Sequence, residues 1–501
     1  MKGGWFMEEK KKSADSNRGH PIAGEVHLGK MDPLKLAMVP TFLGIFIYIG
    51  PGILWAALAQ GSGELIWWPY LTAKYGSVFL GLLIPASLLQ YWVNLEIMRY
   101  VILTGETPMT GFTRIGKWYA VIIFVGVLIE NIWFGAYASA GGTALGSLTH
   151  FPLGWSDGGR ALFWGYLTIG IYIIALTFGR VVYNVVEKFS MVIVVITVGG
   201  VLFALFQPKV YSVSSEFLPA LIPHFSWPSN WDPKDLGILV TSIAYAGAGG
   251  FGQLFIGYWI RDKGAGMGKL VGRVTSPITG EMEAIPATGF AFTDTPENKK
   301  NYKGWVRYIS SENFIGIFLN TLTTAIMCWL AFALLLPEHK VPKGWEIAVV
   351  QSAFFEVAWG PIGRAIFLVV AAAFLCDAWL QLTDGFSRLW ADFVYSNIER
   401  ARKFHFRTWY YIFVAVFSVS TIFTMALAQP GKLIVIRGIC SFLAMSIFAP
   451  GLIYLNYFLI PKAFPNWVKP HPVTRVLMFV CTGTYICLAV VYLYMVFGGK
   501  M

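Results

Sequence analysis

Apolar stretches follow one another along most of the chain, many longer than the roughly 18 residues that mark a membrane-spanning candidate. Some, such as 118–129 and 191–206, lack the polar face that a soluble core helix would keep. The pattern predicts spans at 41–75, 77–101, 118–146, 161–179, 186–207, 236–260, 311–336, 362–387, 409–428, 438–460 and 476–497. Polar helix stops punctuate them, for example Leu336-Pro337-Glu338, Gln429-Pro430-Gly431 and Ile460-Pro461-Lys462. The expected class is therefore an all-α integral membrane protein of about eleven helices.

Composition agrees with this reading, since 56% of the 501 residues are hydrophobic and 13% are charged. A surface so poor in charge does not dissolve so apolar a chain. Residues 1–38 read as a flexible cytoplasmic tail, without the apolar core and small-residue cleavage site of a signal peptide. With the amino terminus inside, most of the 38 lysines and arginines fall in the tail and in the loops near 102–117, 180–188, 261–310, 388–408 and 461–475. The net charge of +11 thus argues for an orientation, with the tail on the cytoplasmic side of the cell membrane, and not for nucleic-acid binding. The five cysteines lie inside apolar helices without zinc spacing, and loop 261–310 reads as cytoplasmic and irregular.

Two spans are interrupted by glycine. Span one holds Gly50-Pro51-Gly52, then Gln60-Gly61-Ser62-Gly63-Glu64 and Pro69; span six holds Ala246-Gly247-Ala248-Gly249-Gly250, then Gln253. Glycine costs about 1 kcal/mol relative to alanine inside a helix, so clusters of it favour unwinding. Short interrupted segments in both halves of a membrane bundle point to a transport site. The alternative is close helix packing through small residues. The two segments resemble each other and lie five spans apart, which inverts the second copy. The chain therefore divides into a first five-helix repeat over 39–207, a second over 236–460, and an extra helix within 461–501.

Deep charges need a reason, at about 2.5–3.5 kcal/mol each on insertion scales. Glu64 follows the first interruption, Glu130 with Asn131 lies deep in span three, and Asp377 lies deep in span eight. Gln381, Asp384 and Arg388 continue the Asp377 face at helical spacing, and for Asp384–Arg388 an intrahelical ion pair is the simpler reading. Glu96 with Arg99 reads the same way. The aromatic side chains on the Glu130 face (Trp133, Phe134, Tyr137) either pack or wall a cavity. All seven histidines fall in the tail, in loops or near span ends, and no nucleophile–base pair, phosphate loop or HExxH motif is present. An enzyme is not expected, and no cofactor.

With these segments in view, the chain resembles the Nramp family of divalent-metal transporters. Gly50-Pro51-Gly52 opens span one as in that family, and its Asp-Pro-Gly-Asn metal motif falls on Gly61-Ser62-Gly63-Glu64. Tyr75-Gly76, Thr104-Gly105, Glu187 and Asp384-Gly385-Phe386 also stand where the family has related residues. The resemblance implies a LeuT-type fold, a five-plus-five inverted repeat with discontinuous helices one and six. Two departures touch the chemistry. The family's metal-binding Asp is Gly61 here, and its Ala-x-x-Met-Pro-His is replaced by Ala246-Gly247-Ala248-Gly249-Gly250, which removes a thioether suited to soft metals.

The expected function is alternating-access transport of a cation, a divalent metal of the Mn²⁺ or Mg²⁺ class. Glu64 is the metal ligand, and Gln60, Gly61, Ser62, Gly63, Ala246, Gly247, Gly249, Gly250 and Gln253 line the site. Glu130, Asn131, Asp377, Gln381 and Asp384 are candidates for coupling to a proton or sodium ion. A carrier of a small organic solute on the same scaffold is the second reading, and a non-transporting sensor or scaffold the third.

Overall fold

The computed structural model describes residues 21–179 and 181–498. Nine helices among the described residues are long and apolar enough to cross a membrane. They are spans two (Leu80–Thr104), three (Lys117–Thr149), four (Asp157–Phe178), five (Val182–Leu205), seven (Pro296–Leu334), eight (within Gly344–Asn397), nine (Phe406–Thr424), ten (Pro430–Lys462) and eleven (Pro472–Phe497). The two remaining crossings, spans one (51–75) and six (236–262), are assembled from shorter pieces. The apolar residues exposed around the outside, among them Ile174, Val195, Phe423 and Val490, form the surface that lipid covers.

Several boundaries differ from the expected ones for local reasons. Span one begins at Pro51, where proline suits the first helical turn, and 41–50 is irregular apart from the short turn Ile45–Ile47. Span seven runs 39 residues from Pro296, capped by the Thr295 side chain, so the end of loop 261–310, expected to be irregular, is helical. Span ten begins at Pro430, eight residues before the expected start, because a proline that looks like a stop here occupies the first turn.

Residues 21–38 of the amino-terminal tail are folded against the bundle, and the first 20 residues lie outside the described residues. Strands β1 (Pro21–Val26) and β2 (Leu34–Ala37) pair antiparallel, and β2 pairs in parallel with β3 (Phe290–Ala291) from the loop after span six. A buried ion pair anchors this small sheet. Arg114 reaches Glu106 at 2.5 Å and donates to the Leu28 carbonyl at 2.7 Å, while Glu106 accepts from the Gly289 amide at 2.7 Å. For residues 21–38, those bonds replace the expected flexibility with a fixed cap on one end of the bundle.

Candidate functional site

The two glycine clusters solve different problems. In span six the helix stops at Ala244, residues 245–249 are irregular, and a short 3₁₀ turn (Gly250–Leu254) leads into Phe255–Asp262. Gly249 and Gly250 have φ of +67° and +51°, a region that side-chain-bearing residues adopt at a cost. Freed carbonyls find partners: Ala244 accepts from Gln90 Nε2 at 2.8 Å and Ala246 from Asn320 Nδ2 at 3.0 Å. The freed Phe251 amide donates to Glu130 at 3.1 Å. This is the discontinuous helix expected.

Span one is interrupted without being unwound. Pro51–Ala59 passes into a π-helical stretch, Gln60–Trp67, and then into Trp68–Tyr75. A π turn adds a residue to the helical register and re-aims the side chains, and such turns concentrate at functional sites. Its glycines serve packing. A Cβ on Gly61 would sit 2.7 Å from that of Ala378 in span eight, and one on Gly63 would strike the Tyr245 backbone in the span-six break. The extended break expected at Gly61-Ser62-Gly63 is therefore corrected to a widened turn that lets spans one, six and eight approach.

Glu64, in that turn, is 1% exposed, and neither of its carboxylate oxygens has a hydrogen-bond partner. It lies beside Thr324 and Cys328 of span seven, but the Thr324 hydroxyl donates to the Asn320 carbonyl at 2.8 Å. One turn earlier, Gln60 donates to Thr323 at 2.9 Å and leaves its own Oε1 unpartnered, as is Asn320 Oδ1. A carboxylate and two amide oxygens on spans one and seven are thus buried without donors. Gln253 is turned elsewhere, its amide donating to Gln90 of span two, and Gly247 packs against Gln90 and Trp55.

The other deep charges divide into paired and unpaired. Glu130 is held by Arg437 of span ten at 3.0 Å and by Ser441 at 2.8 Å, and Arg437 also donates to Tyr137 and Tyr245. Glu130 is therefore a strut between spans three, six and ten, and the Tyr137 side of the aromatic stripe packs on Arg437. Asn131 is buried beside it, with Oδ1 unpartnered. Asp384 pairs with Arg388 at 2.8 Å and accepts from Tyr410, and Arg388 reaches Asp262 at 2.5 Å, so this acid locks the end of span eight to spans six and nine. The Glu96–Arg99 pair forms as expected, at 2.6 Å.

Asp377 differs. One oxygen accepts from Ser190 of span five and from Gln381, each at 2.8 Å; the other has no partner, and neither has Gln381 Oε1. No cationic side chain reaches it among the described residues. Arg437 and Asn320 were not anticipated from the sequence. Arg437 fell outside the expected start of span ten, and Asn320 belongs to a stripe (Asn313, Asn320, Thr324) at helical spacing in span seven that signals a polar face.

No protein-family model matches the sequence, and no curated protein matches it. Solved structures do. A variant of the manganese transporter of Eremococcus coleocola is 12% identical, with a TM-score of 0.61 over 94% of this chain and 92% of that one. Mhp1, a nucleobase-cation-symport-1 family transporter with bromovinylhydantoin bound, gives 0.52 at 13% identity over 89% and 91%. MhsT in complex with L-phenylalanine gives 0.52 at 13% over 88% and 97%. At such identities the likeness is one of architecture: the chain is a multi-pass, all-α membrane protein with the LeuT-type fold.

Proposed function

We propose that this protein is a secondary transporter that carries a cation across the cell membrane by alternating access, with the amino-terminal sheet on the cytoplasmic side. The observation that carries the reading is Glu64, a buried carboxylate that among the described residues accepts no hydrogen bond, with the unpartnered oxygens of Gln60 and Asn320 one turn away along spans one and seven. A buried charge without partners costs several kcal/mol, and a bound cation removes that cost. Oxygen ligands suit hard ions, so the cargo proposed is a divalent metal of the Mg²⁺ or Mn²⁺ class. That the fold neighbours include a manganese transporter supports the choice, as does the resemblance to the Nramp family.

Two details weigh against an acidic organic solute. Half-helix amino ends are the places where such a fold would hold a carboxylate. Here the half-helix amino end of span six is already occupied by Glu130, and the start of the unbroken span one by Glu312, which accepts from Gly52 at 2.6 Å. The second reading, an organic cation, is favoured by one fact: among the described residues no three acidic, histidine or cysteine side chains group to hold a metal. Asp377 with Gln381 is proposed as the coupling site for a proton or sodium ion, whereas Glu130 and Asp384 serve the frame.

Ligand-dependent thermal unfolding in detergent separates the two cargoes. Mg²⁺ or Mn²⁺ is expected to raise the melting temperature of the wild type and to leave Glu64→Gln unmoved. Stabilisation by small amines, with none by either metal, would replace the metal with an organic cation.

A further inference from the structure

At the end of the bundle that carries the amino-terminal sheet, spans ten and eleven enclose a cavity of about 120 Å³ lined by Asn456, Tyr457, Pro461, Lys469, Pro470 and Arg475. It lies far along span ten from Arg437, past a second π-helical stretch, Tyr454–Leu459. Two of the six lining residues are cations and none is an acid. Among the described residues neither Lys469 nor Arg475 has a carboxylate within ion-pair reach, although Arg475 lies 5.7 Å from the Tyr457 ring centre. Behind the cavity Glu96 is paired with Arg99 at 2.6 Å and accepts from the Asn456 amide at 2.8 Å, which offsets its charge beside Tyr457.

Two further features point the same way. Tyr457 is 8% exposed, and among the described residues its hydroxyl makes no hydrogen bond of ordinary geometry, although the Glu96 carboxylate lies beside it. The cavity also meets the amino end of a 26-residue helix, Pro472–Phe497, whose dipole favours negative charge there. Cations, a hydroxyl donor and a helix amino end converge on one small space, which is the chemistry of a phosphate site. Around it the surface is apolar and exposed at Tyr454, Phe458 and Phe479, where acyl chains would lie. Basic pockets between helices on the cytoplasmic side are the usual setting for anionic lipid headgroups.

We infer that this pocket binds the phosphate headgroup of an anionic phospholipid from the leaflet on the side of the amino-terminal sheet. The apolar rim selects the lipid over a free phosphate ion, which has nothing to place there. Occupancy would fasten span eleven and the end of span ten, the helix that carries Arg437, to the bilayer.

The test is native mass spectrometry of the full chain, titrated in detergent with dioleoyl-phosphatidylglycerol, dioleoyl-phosphatidylcholine or inorganic phosphate. Each cation near a membrane surface contributes about fivefold in affinity, so Lys469→Gln/Arg475→Gln is expected to weaken phosphatidylglycerol binding about 25-fold. Tyr457→Phe, which removes the hydroxyl alone, is expected to weaken it several-fold, and Lys462→Gln, a cation outside the lining, to leave it unchanged. The wild type should prefer phosphatidylglycerol to phosphatidylcholine. Equal binding of the two lipids, an unaltered double variant, or retention of inorganic phosphate as tight as that of the lipid would each overturn the assignment. Should the double variant unfold, the Tyr457→Phe and Lys462→Gln pair decides: equal binding by these two contradicts the site.

Discussion

Glu64 stands apart from the other deep acids because, among the described residues, no hydrogen bond or ion pair repays its burial. Glu130 has Arg437 and Ser441, Asp384 has Arg388 and Tyr410, and Asp377 has two neutral donors. A functional carboxylate of this kind carries a stability penalty that its removal should release. Glu64→Gln is therefore expected to unfold at a higher temperature than the wild type in metal-free detergent, read by tryptophan fluorescence, and a lower temperature would show that the carboxylate has a structural partner. The opposite holds at Arg437. Its replacement by Met leaves Glu130 buried and unpaired, which should cost about 3–5 kcal/mol, whereas changing both residues together should cost much less. The position of each deep acid was legible in the sequence, because a charge in an apolar run is conspicuous. Their roles were not, since the cation that distinguishes Glu130 from Glu64 lies about 300 residues away, in a segment whose Pro430-Gly431 opening imitates a helix stop.

At the scale of the elements, two similar glycine clusters give two different structures. Both hold spans in close contact, yet only Gly249 and Gly250 take positive φ, so only span six is broken. Glycine serves close packing and left-handed backbone alike, and that ambiguity is why the sequence showed where the interruptions lie but not that span one keeps a π turn. The distinction is open to test. Gly250→Ala must adopt φ near +51° and bring its Cβ to 2.5 Å from the Ser441 Cα, so it is expected to lose about 1–3 kcal/mol from strain alone, measured by denaturant unfolding in micelles. A neutral result would mean that the break tolerates an ordinary residue. The overall count of spans was legible as well, because it depends on sums over many residues. The folded part of the tail was not, for it rests on the Glu106–Arg114 and Asp32–Arg402 pairs and on strand partners about 250 residues apart.

In the whole molecule, Glu64 is closed off from both ends of span one. At its carboxy-terminal end Tyr70, Lys74 and Tyr75 all converge on Asp235 at the start of span six, with Lys74 at 2.7 Å. At its amino-terminal end, the inner one in the proposed orientation, Glu312 holds the Gly50 and Gly52 amides, while Lys263 beside them pairs with Glu187 of span five at 2.6 Å. Alternating access requires these two sets of ties to open in turn, never together. Asp235→Asn is expected to increase thiol labelling of a cysteine placed at Gln60 from the outside, and Glu312→Gln from the cytoplasmic side; labelling that ignores both changes would remove the ties as gates. Cargo and gates meet at one carboxylate, so the central claim rests on flux. In proteoliposomes the wild type should take up Mg²⁺ or Mn²⁺, and Glu64→Gln, folded and reconstituted to the same level, should be at least about tenfold slower, the loss of roughly 1.4 kcal/mol or more of cation binding. Uptake of neither ion by the wild type, or equal uptake by the variant, would contradict the account.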